Sequence, residues 1–349
     1  MKIAVYTIAL NEEQFVESWW ESAKTADYLL IADTGSTDKT IELARSLGIH
    51  VITIGIRPWR FDDARNAALA ALPLDIDYCI ALDMDEQLQP GWRQALEQCD
   101  PKSIDRPRYS YTWSWNPDGS PGLQYGGDKI HTRCGYRWKH PVHEVLTKTG
   151  IEKQQWIPME IHHHPDDSKS RSQYLPLLAL SVVEDPHDDR NAFYYARELF
   201  FNRQFEFAAT EFKRHLELPK ATWKPERAAS MRYLAQCEPH LKKYWLEMAA
   251  DETPDRREPW VDLAHYYYIV EDWPMVLKYA KRALAITDKP LDYICEATAW
   301  GPLPHDLAAL ASYHLGLAPM AVEYGAAALA LAPADGRLAT NLNFYRQAA

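Results

Sequence analysis

No run of about 18 apolar residues occurs anywhere in the 349 residues, so nothing here reads as a membrane-spanning helix. The apolar stretch after Met1 meets Asn11-Glu12-Glu13 too early for a secretory leader. Positive charge is in deficit, with 38 Lys and Arg against 49 Asp and Glu. That balance excludes a general binder of nucleic acid or of anionic membrane surfaces. Cysteine is sparse and unpatterned: Cys79, Cys99, Cys134, Cys237 and Cys295 form no CxxC, which suggests neither a disulfide framework nor a zinc knuckle. No HxxxH pair marks a histidine-built hydrolase. The segment Ala9-Leu10-Asn11-Glu12-Glu13 supplies no glycine-rich basic loop of the kind a nucleotidylyltransferase needs. A cytoplasmic protein in a reducing compartment is expected, with any membrane contact peripheral.

What is present is an ordinary globular composition, 47% apolar and 25% charged, on a chain longer than one typical core supports. Two domains are expected, 1–165 and 166–349, because the pattern changes near residue 165. Before it, short apolar runs (3–10, 28–32, 50–54) alternate with helical patterns (12–23, 38–47), the signature of βαβ units and a mainly parallel sheet. After it the strands vanish, and helical segments dense in Ala, Leu, Tyr and Trp are broken by proline. That half repeats itself. Trp273-Pro274-Met275 through Ile286 matches Ala318-Pro319-Met320 through Leu331, with an earlier copy at Phe205 and a weaker one around Leu241–Ala250. The spacing suits stacked helix hairpins of the tetratricopeptide kind, with Ala196, Ala264, Ala283, Ala311 and Ala328 where helices touch.

The first half concentrates polar residues at the ends of its strands, where open α/β sheets bind ligands. The first strand closes on Thr7, Ala9, Asn11 and Glu12, whose backbone is expected to meet a base or ribose; Asn11 also suits a helix cap. The second closes on Asp33-Thr34-Gly35-Ser36, where an ionised Asp33 is an acceptor fit for an imide N–H and Gly35 permits a tight turn. Arg65 follows in Phe61-Asp62-Asp63-Ala64-Arg65-Asn66, able to fork onto a phosphate or to orient carboxylates. Then Tyr78-Cys79-Ile80-Ala81-Leu82 runs into Asp83-Met84-Asp85-Glu86. Alternate side chains at a strand end point one way, so Asp83 and Asp85 are expected to converge on one hard cation. A basic patch of Lys129, Arg133, Arg137 and Lys139 and an alternating run from Tyr109 to Trp115 complete the set. Aromatics on one face of that run, joined by Trp138 and Trp156, could stack on sugar rings or pack into the core.

Taken together, Asn11-Glu12-Glu13, Ala32-Asp33-Thr34-Gly35-Ser36-Thr37-Asp38, Phe61 with Ala64-Arg65-Asn66, Leu82-Asp83-Met84-Asp85-Glu86 and Val142-His143-Glu144 resemble a family 2 glycosyltransferase of GT-A fold. The second half resembles the tetratricopeptide-like extension carried by a branch of that family. Thr34 departs from the second Asp of many relatives. The resemblance implies a UDP-sugar donor with Mn²⁺ or Mg²⁺, Asp33 on the uracil, Asp83 and Met84 beside the nucleotide, and Asp83 and Asp85 on the metal. Arg65 is implied to support the diphosphate. A late metal ligand is implied at His163, with His162 and His164 close by. In-line displacement with inversion needs one base on the acceptor side, and the His-Glu pair implies Glu144 as that base and His143 as its neighbour, the roles open to exchange. Adjacent strand residues face apart, so only one of the two is expected to enter the site. The acceptor would be a glycan, a lipid-linked sugar or a peptide, and the helical half would position it or pair two copies. A non-catalytic, nucleotide-binding repeat scaffold is the alternative.

Overall fold

A computed structural model describes residues 1–116, 118–166 and 173–349. It divides into two compact units, Met1–Ser181 and Val182–Ala349. In chain order the first holds β1 (Ile3–Ala9), α1 (Val16–Ala23), β2 (Tyr28–Asp33), α2 (Thr40–Ser46), β3 (His50–Thr53), α3 (Phe61–Ala70), β4 (Tyr78–Ala81), β5 (Glu86–Leu88), α4 (Trp92–Glu97), β6 (Arg106–Thr112), β7 (Gln124–Gly127), β8 (Ile130–Thr132), β9 (Tyr136–Lys139), β10 (Val145–Lys148) and β11 (Gln154–His163).

Strands β1 and β4 are apolar nearly throughout because helices or loops cover both of their faces; every residue of β4 is buried. They lie in the middle of a sheet ordered β3-β2-β1-β4-β8, parallel except for β8. A second sheet, β5-β11-β6-β7, mixes parallel and antiparallel pairs. The expectation of a mainly parallel sheet therefore holds for the first sheet alone. Leu82 is the last fully buried residue of the β4 run, and the chain then crosses in a tight turn into β5 of the other sheet. The acidic segment 83–86 is thus the link between the sheets. A two-stranded hairpin, β9 with β10, stands beside α3. Asn66 fastens it there, its side chain donating to the Trp138 carbonyl and accepting the Trp138 N–H, both at 2.9 Å.

Helix α5 (Tyr174–Glu184) crosses the boundary between the units. The second unit continues with α6 (Asp189–Phe201), α7 (Phe205–Glu217), α8 (Lys224–Cys237), α9 (Lys242–Glu252), α10 (Arg257–Ile269), α11 (Trp273–Leu284), α12 (Ala297–Trp300), α13 (Leu303–His314), α14 (Ala318–Leu331) and α15 (Gly336–Ala348). Helices pack as antiparallel neighbours in the pairs α6/α7, α8/α9, α10/α11 and α13/α14. The four sequence copies are the second helices of these pairs: α7, α9, α11 and α14. Ala196, Ala264, Ala283, Ala311 and Ala328 have no exposed surface, as close helix contact requires. Asp188, Asp272 and Asp335 cap α6, α11 and α15 by accepting early backbone N–H groups.

Candidate functional site

The carboxyl ends of β1, β2 and β4 meet, as a parallel sheet dictates. The loops after β1 and β2 are laced together. The Asn11 N–H donates to Ser36 Oγ and the Asn11 Oδ1 accepts from the Thr37 N–H. Glu12 N–H donates to Thr40 Oγ1, and Glu13 exchanges bonds with Asp38 and Lys39. Asn11 sits at φ 55°, a left-handed conformation that asparagine tolerates better than most residues. Thr7, Ala9, Glu12 and Met84 are all buried in this frame. Asp33 is fully buried, and its oxygens accept the Gly35 and Ser36 amides at 3.0–3.2 Å. In this conformation the carboxylate builds the turn, with Gly35 at φ 118°.

Beyond β4 lies a continuous ion-pair network. Arg65, on the buried face of α3, donates through Nε to Glu144 and through Nη2 to Asp83 Oδ1 at 2.7 Å. Lys129, just before β8, bonds Asp83 Oδ2 at 2.6 Å and Glu86 Oε1 at 2.9 Å. Tyr111 on β6 donates to the same Glu86 oxygen at 2.6 Å, and the other accepts the Asp83 N–H. Burial opposes ionisation of Asp83, yet Arg65 and Lys129 outweigh it and hold the carboxyl well below its ordinary range. Burial also pulls Lys129 down, and the Asp83 and Glu86 charges reverse the sign, raising it well above. Arg65 Nη1 is a buried donor without a protein partner. In a network otherwise saturated, that N–H is where an incoming oxyanion would be received.

Asp85 has a different partner. Its Oδ2 lies 3.4 Å from His163 Nε2, and its carbonyl accepts the His164 N–H, a contact that follows from β11 pairing with β5 at His163↔Glu86. His163 Nδ1 lies 2.9 Å from the Trp113 carbonyl. That acceptor holds a proton on Nδ1 and turns Nε2 toward the Asp85 carboxylate, where it donates when protonated. Burial lowers the affinity of His163 for a proton, but the Asp85 and Trp113 bonds outweigh it and raise the group above its usual value. A carboxylate and a neutral imidazole on rigid strand ends suit Mn²⁺ or Mg²⁺. Among the described residues no three His, Cys, Asp and Glu side chains form a group that could hold a metal ion.

Asp83 and Asp85 differ in their partners. Both oxygens of Asp83 are taken by cations, and only Asp85 is paired with a metal-type ligand. Of the three histidines His163 brings its ring to the Asp85 carboxylate; His162 lies beside Glu160, and His164 meets Asp85 through its backbone N–H while its ring stacks on Trp115. Glu144 and His143 part as expected, though in a loop and not on a strand: Glu144 joins the Arg65 network while His143, at φ 51°, lies edge-on to Tyr174. The basic patch does not form. Lys129 is consumed by ion pairs, Arg133 is turned onto backbone carbonyls of Leu72 and Pro73, and Arg137 and Lys139 are exposed on β9.

The aromatic run is divided too. Tyr109 and Tyr111 are core, Trp138 is buried under the Arg65 guanidinium and donates to Tyr6, and Trp156 is exposed. Trp113 remains at the site, 37% exposed and stacked on His163 at 4.3 Å. Sequence reading placed Lys129 in a basic patch and Glu86 in the acidic run but gave neither a partner within the site. No spacing code could have supplied one, because Lys129 reaches the acidic turn only through sheet pairing, its carbonyl accepting the Ala81 N–H.

Known proteins similar to this chain match its two parts separately. The family model described as glycosyl transferase family 2 matches residues 4–98, the amino-terminal part of the chain. An uncharacterized glycosyltransferase of Rickettsia bellii is 31% identical over 97 residues, 28% of this chain and 32% of the relative. One of Rickettsia typhi is 28% identical over the same length and shares. The chain thus spans about a third of the length of the curated relatives it matches. Among solved structures, glucosyl-3-phosphoglycerate synthase of Mycobacterium tuberculosis, in complex with Mn²⁺, UDP and glucosyl-3-phosphoglycerate, is 28% identical. The match covers 32% of this chain and 44% of that one, with a TM-score of 0.27. A TPR protein with an unusual peptide-binding site is 14% identical, covering 49% and 82%, with a TM-score of 0.38. No helix among the described residues is long and apolar enough to cross a membrane.

Proposed function

We propose that the first unit transfers a hexose or N-acetylhexosamine from a UDP-sugar, with inversion and with a divalent metal, to a glycan, lipid-linked or peptide acceptor. The observation that carries this reading is the split of the acidic turn. Asp83 is held by Arg65 and Lys129, while Asp85 is presented with His163 as an oxygen–nitrogen pair suited to Mn²⁺ or Mg²⁺. A divalent ion bound there supplies Lewis-acid charge to a departing diphosphate.

The chain's own residues do the rest. Arg65 offers its unpartnered Nη1–H to a phosphate oxygen, and the laced loops containing Thr7, Ala9, Asn11, Glu12 and Asp33, with Met84, form the wall for the nucleoside. Glu144, oriented by Arg65 Nε, takes the proton of the attacking acceptor hydroxyl as the anomeric carbon–oxygen bond to the diphosphate breaks; His143 borders the approach. Trp113 offers an aromatic face beside His163 on which an acceptor ring can stack. The helical unit is proposed to position the acceptor or to pair two copies.

Binding of UDP and its release from UDP-sugars, each with Mn²⁺ present, is the direct test. Asp85→Ala is expected to abolish metal-dependent UDP binding. Glu144→Gln, which keeps an acceptor for Arg65, is expected to retain binding and lose transfer. Protein that neither binds UDP nor releases it from any UDP-sugar would leave only a repeat scaffold, and equal loss of binding in both variants would remove Glu144 from the acceptor side.

A further inference from the structure

The acidic turn carries more negative charge than one divalent ion needs, and the structure neutralises the excess from within. Lys129 Nζ lies within 2.9 Å of both Asp83 Oδ2 and Glu86 Oε1. Every other oxygen of those two carboxylates is engaged: Asp83 Oδ1 by Arg65, Glu86 Oε2 by the Asp83 N–H. The turn is closed on itself as well, the Glu86 N–H donating to the Asp83 carbonyl at 2.9 Å. The ammonium is not loosely placed. Its backbone is held on both sides, the Lys129 carbonyl by the Ala81 N–H and the Lys129 N–H by Tyr109 Oη.

Without that ammonium, a buried carboxylate oxygen of Glu86 and a partly exposed one of Asp83 would face one another across the space of a single nitrogen atom. Like charges so placed in low dielectric either take up a proton or draw in a cation. At a turn that already attracts divalent ions, a second ion is the natural replacement. We propose that Lys129 is a positioning residue, a built-in counter-cation that clamps Asp83 and Glu86, keeps both off the metal and confines the divalent ion to Asp85 and His163. The inference rests on the metal-site reading above. Lys129 touches neither ion nor substrate in this role; it acts through the two carboxylates that it occupies.

The test counts ions and does not depend on turnover. Full-length protein is titrated with Mn²⁺ in the presence of UDP, and the free ion is measured by its electron paramagnetic resonance signal. The unaltered chain and Lys129→Arg are expected to bind one Mn²⁺, and Lys129→Met two, the second between Asp83 and Glu86. One ion bound by Lys129→Met with unchanged affinity would overturn the proposal. Should Lys129→Met fail to fold by near-UV circular dichroism, Lys129→Gln is counted in its place: more than one ion supports the clamp, and a single ion at unaltered affinity overturns it. Asp85→Asn tests the foundation separately. If it retains Mn²⁺ as tightly as the unaltered chain, or if that chain binds none, the ion does not belong to Asp85 and the metal-site reading itself fails, whatever Lys129→Met does.

Discussion

Replacing Arg65 by methionine removes the one group that both Asp83 and Glu144 share, while keeping an apolar stem of similar reach against the Trp138 ring, over which the guanidinium now lies at 5.0 Å. Removing one partner of a buried ion pair costs about 3–5 kcal/mol, because the remaining charge stays buried. The side chain of Glu144 is 11% exposed and takes most of that penalty; that of Asp83 is 29% exposed and keeps Lys129, so solvent and the second cation soften its share. The lower end, about 3 kcal/mol, is therefore expected, equivalent to a little over 100-fold in the opening equilibrium. Native-state hydrogen exchange reads this locally. Peptides covering α3 and the β9–β10 hairpin should exchange on the order of 100-fold faster in Arg65→Met, with α6–α15 unchanged. Adding Glu144→Gln should recover part of the protection, since a neutral amide needs no cation, with a coupling of about 0.5–3 kcal/mol. Protection within threefold of the unaltered chain, or a double variant as unprotected as the sum of both changes, would refute the view that this network holds α3 to the hairpin.

Two further outcomes concern the scaffold. His131 is fully buried, its Nε2 3.1 Å from the Tyr6 hydroxyl, which accepts the Trp138 indole N–H, and its Nδ1 2.9 Å from the Thr132 carbonyl. Burial chiefly pushes it down to about 3, so its neutral form contributes stability that is full above about pH 6.5 and is lost as pH falls toward 3. Thermal melts of the first unit should fall across that window by up to about 1.4 kcal/mol per pH unit, and His131→Gln should flatten the decline; an equally steep decline in the variant would count against His131 as its source. Gly127→Ala places a Cβ 2.1 Å from Tyr109 Cε2 and 2.3 Å from its Cζ, an overlap expected to cost about 1–3 kcal/mol. The melting temperature should drop and be partly restored by Tyr109→Leu in the same chain; an unchanged melt in Gly127→Ala would show that the Tyr109 ring is free to move.

Residues 1–54 and the helical repeats were legible because their signals are local. Buried parallel strands and amphipathic helices differ in period, and Ala196, Ala264, Ala283, Ala311 and Ala328 mark the contacts of a hairpin that recurs. The acids Asp33 and Asp83 were legible as lying at one edge of the sheet for a related reason, since a parallel sheet brings the carboxyl ends of β2 and β4 to the same side wherever the helices between them run.

Their partners were not legible. That Asp83 belongs to Lys129 and Asp85 to His163 depends on β8 pairing with β4 and on β11 pairing with β5, contacts between residues 46 and 78 positions apart that no local pattern encodes. Sequence by itself determined which elements form and which acids end a buried strand, because propensity and burial act over a few residues. Only the tertiary structure decided which charge neutralises which, because Coulomb energy in a buried site depends on distance and desolvation, and both are set by the packing of the two sheets.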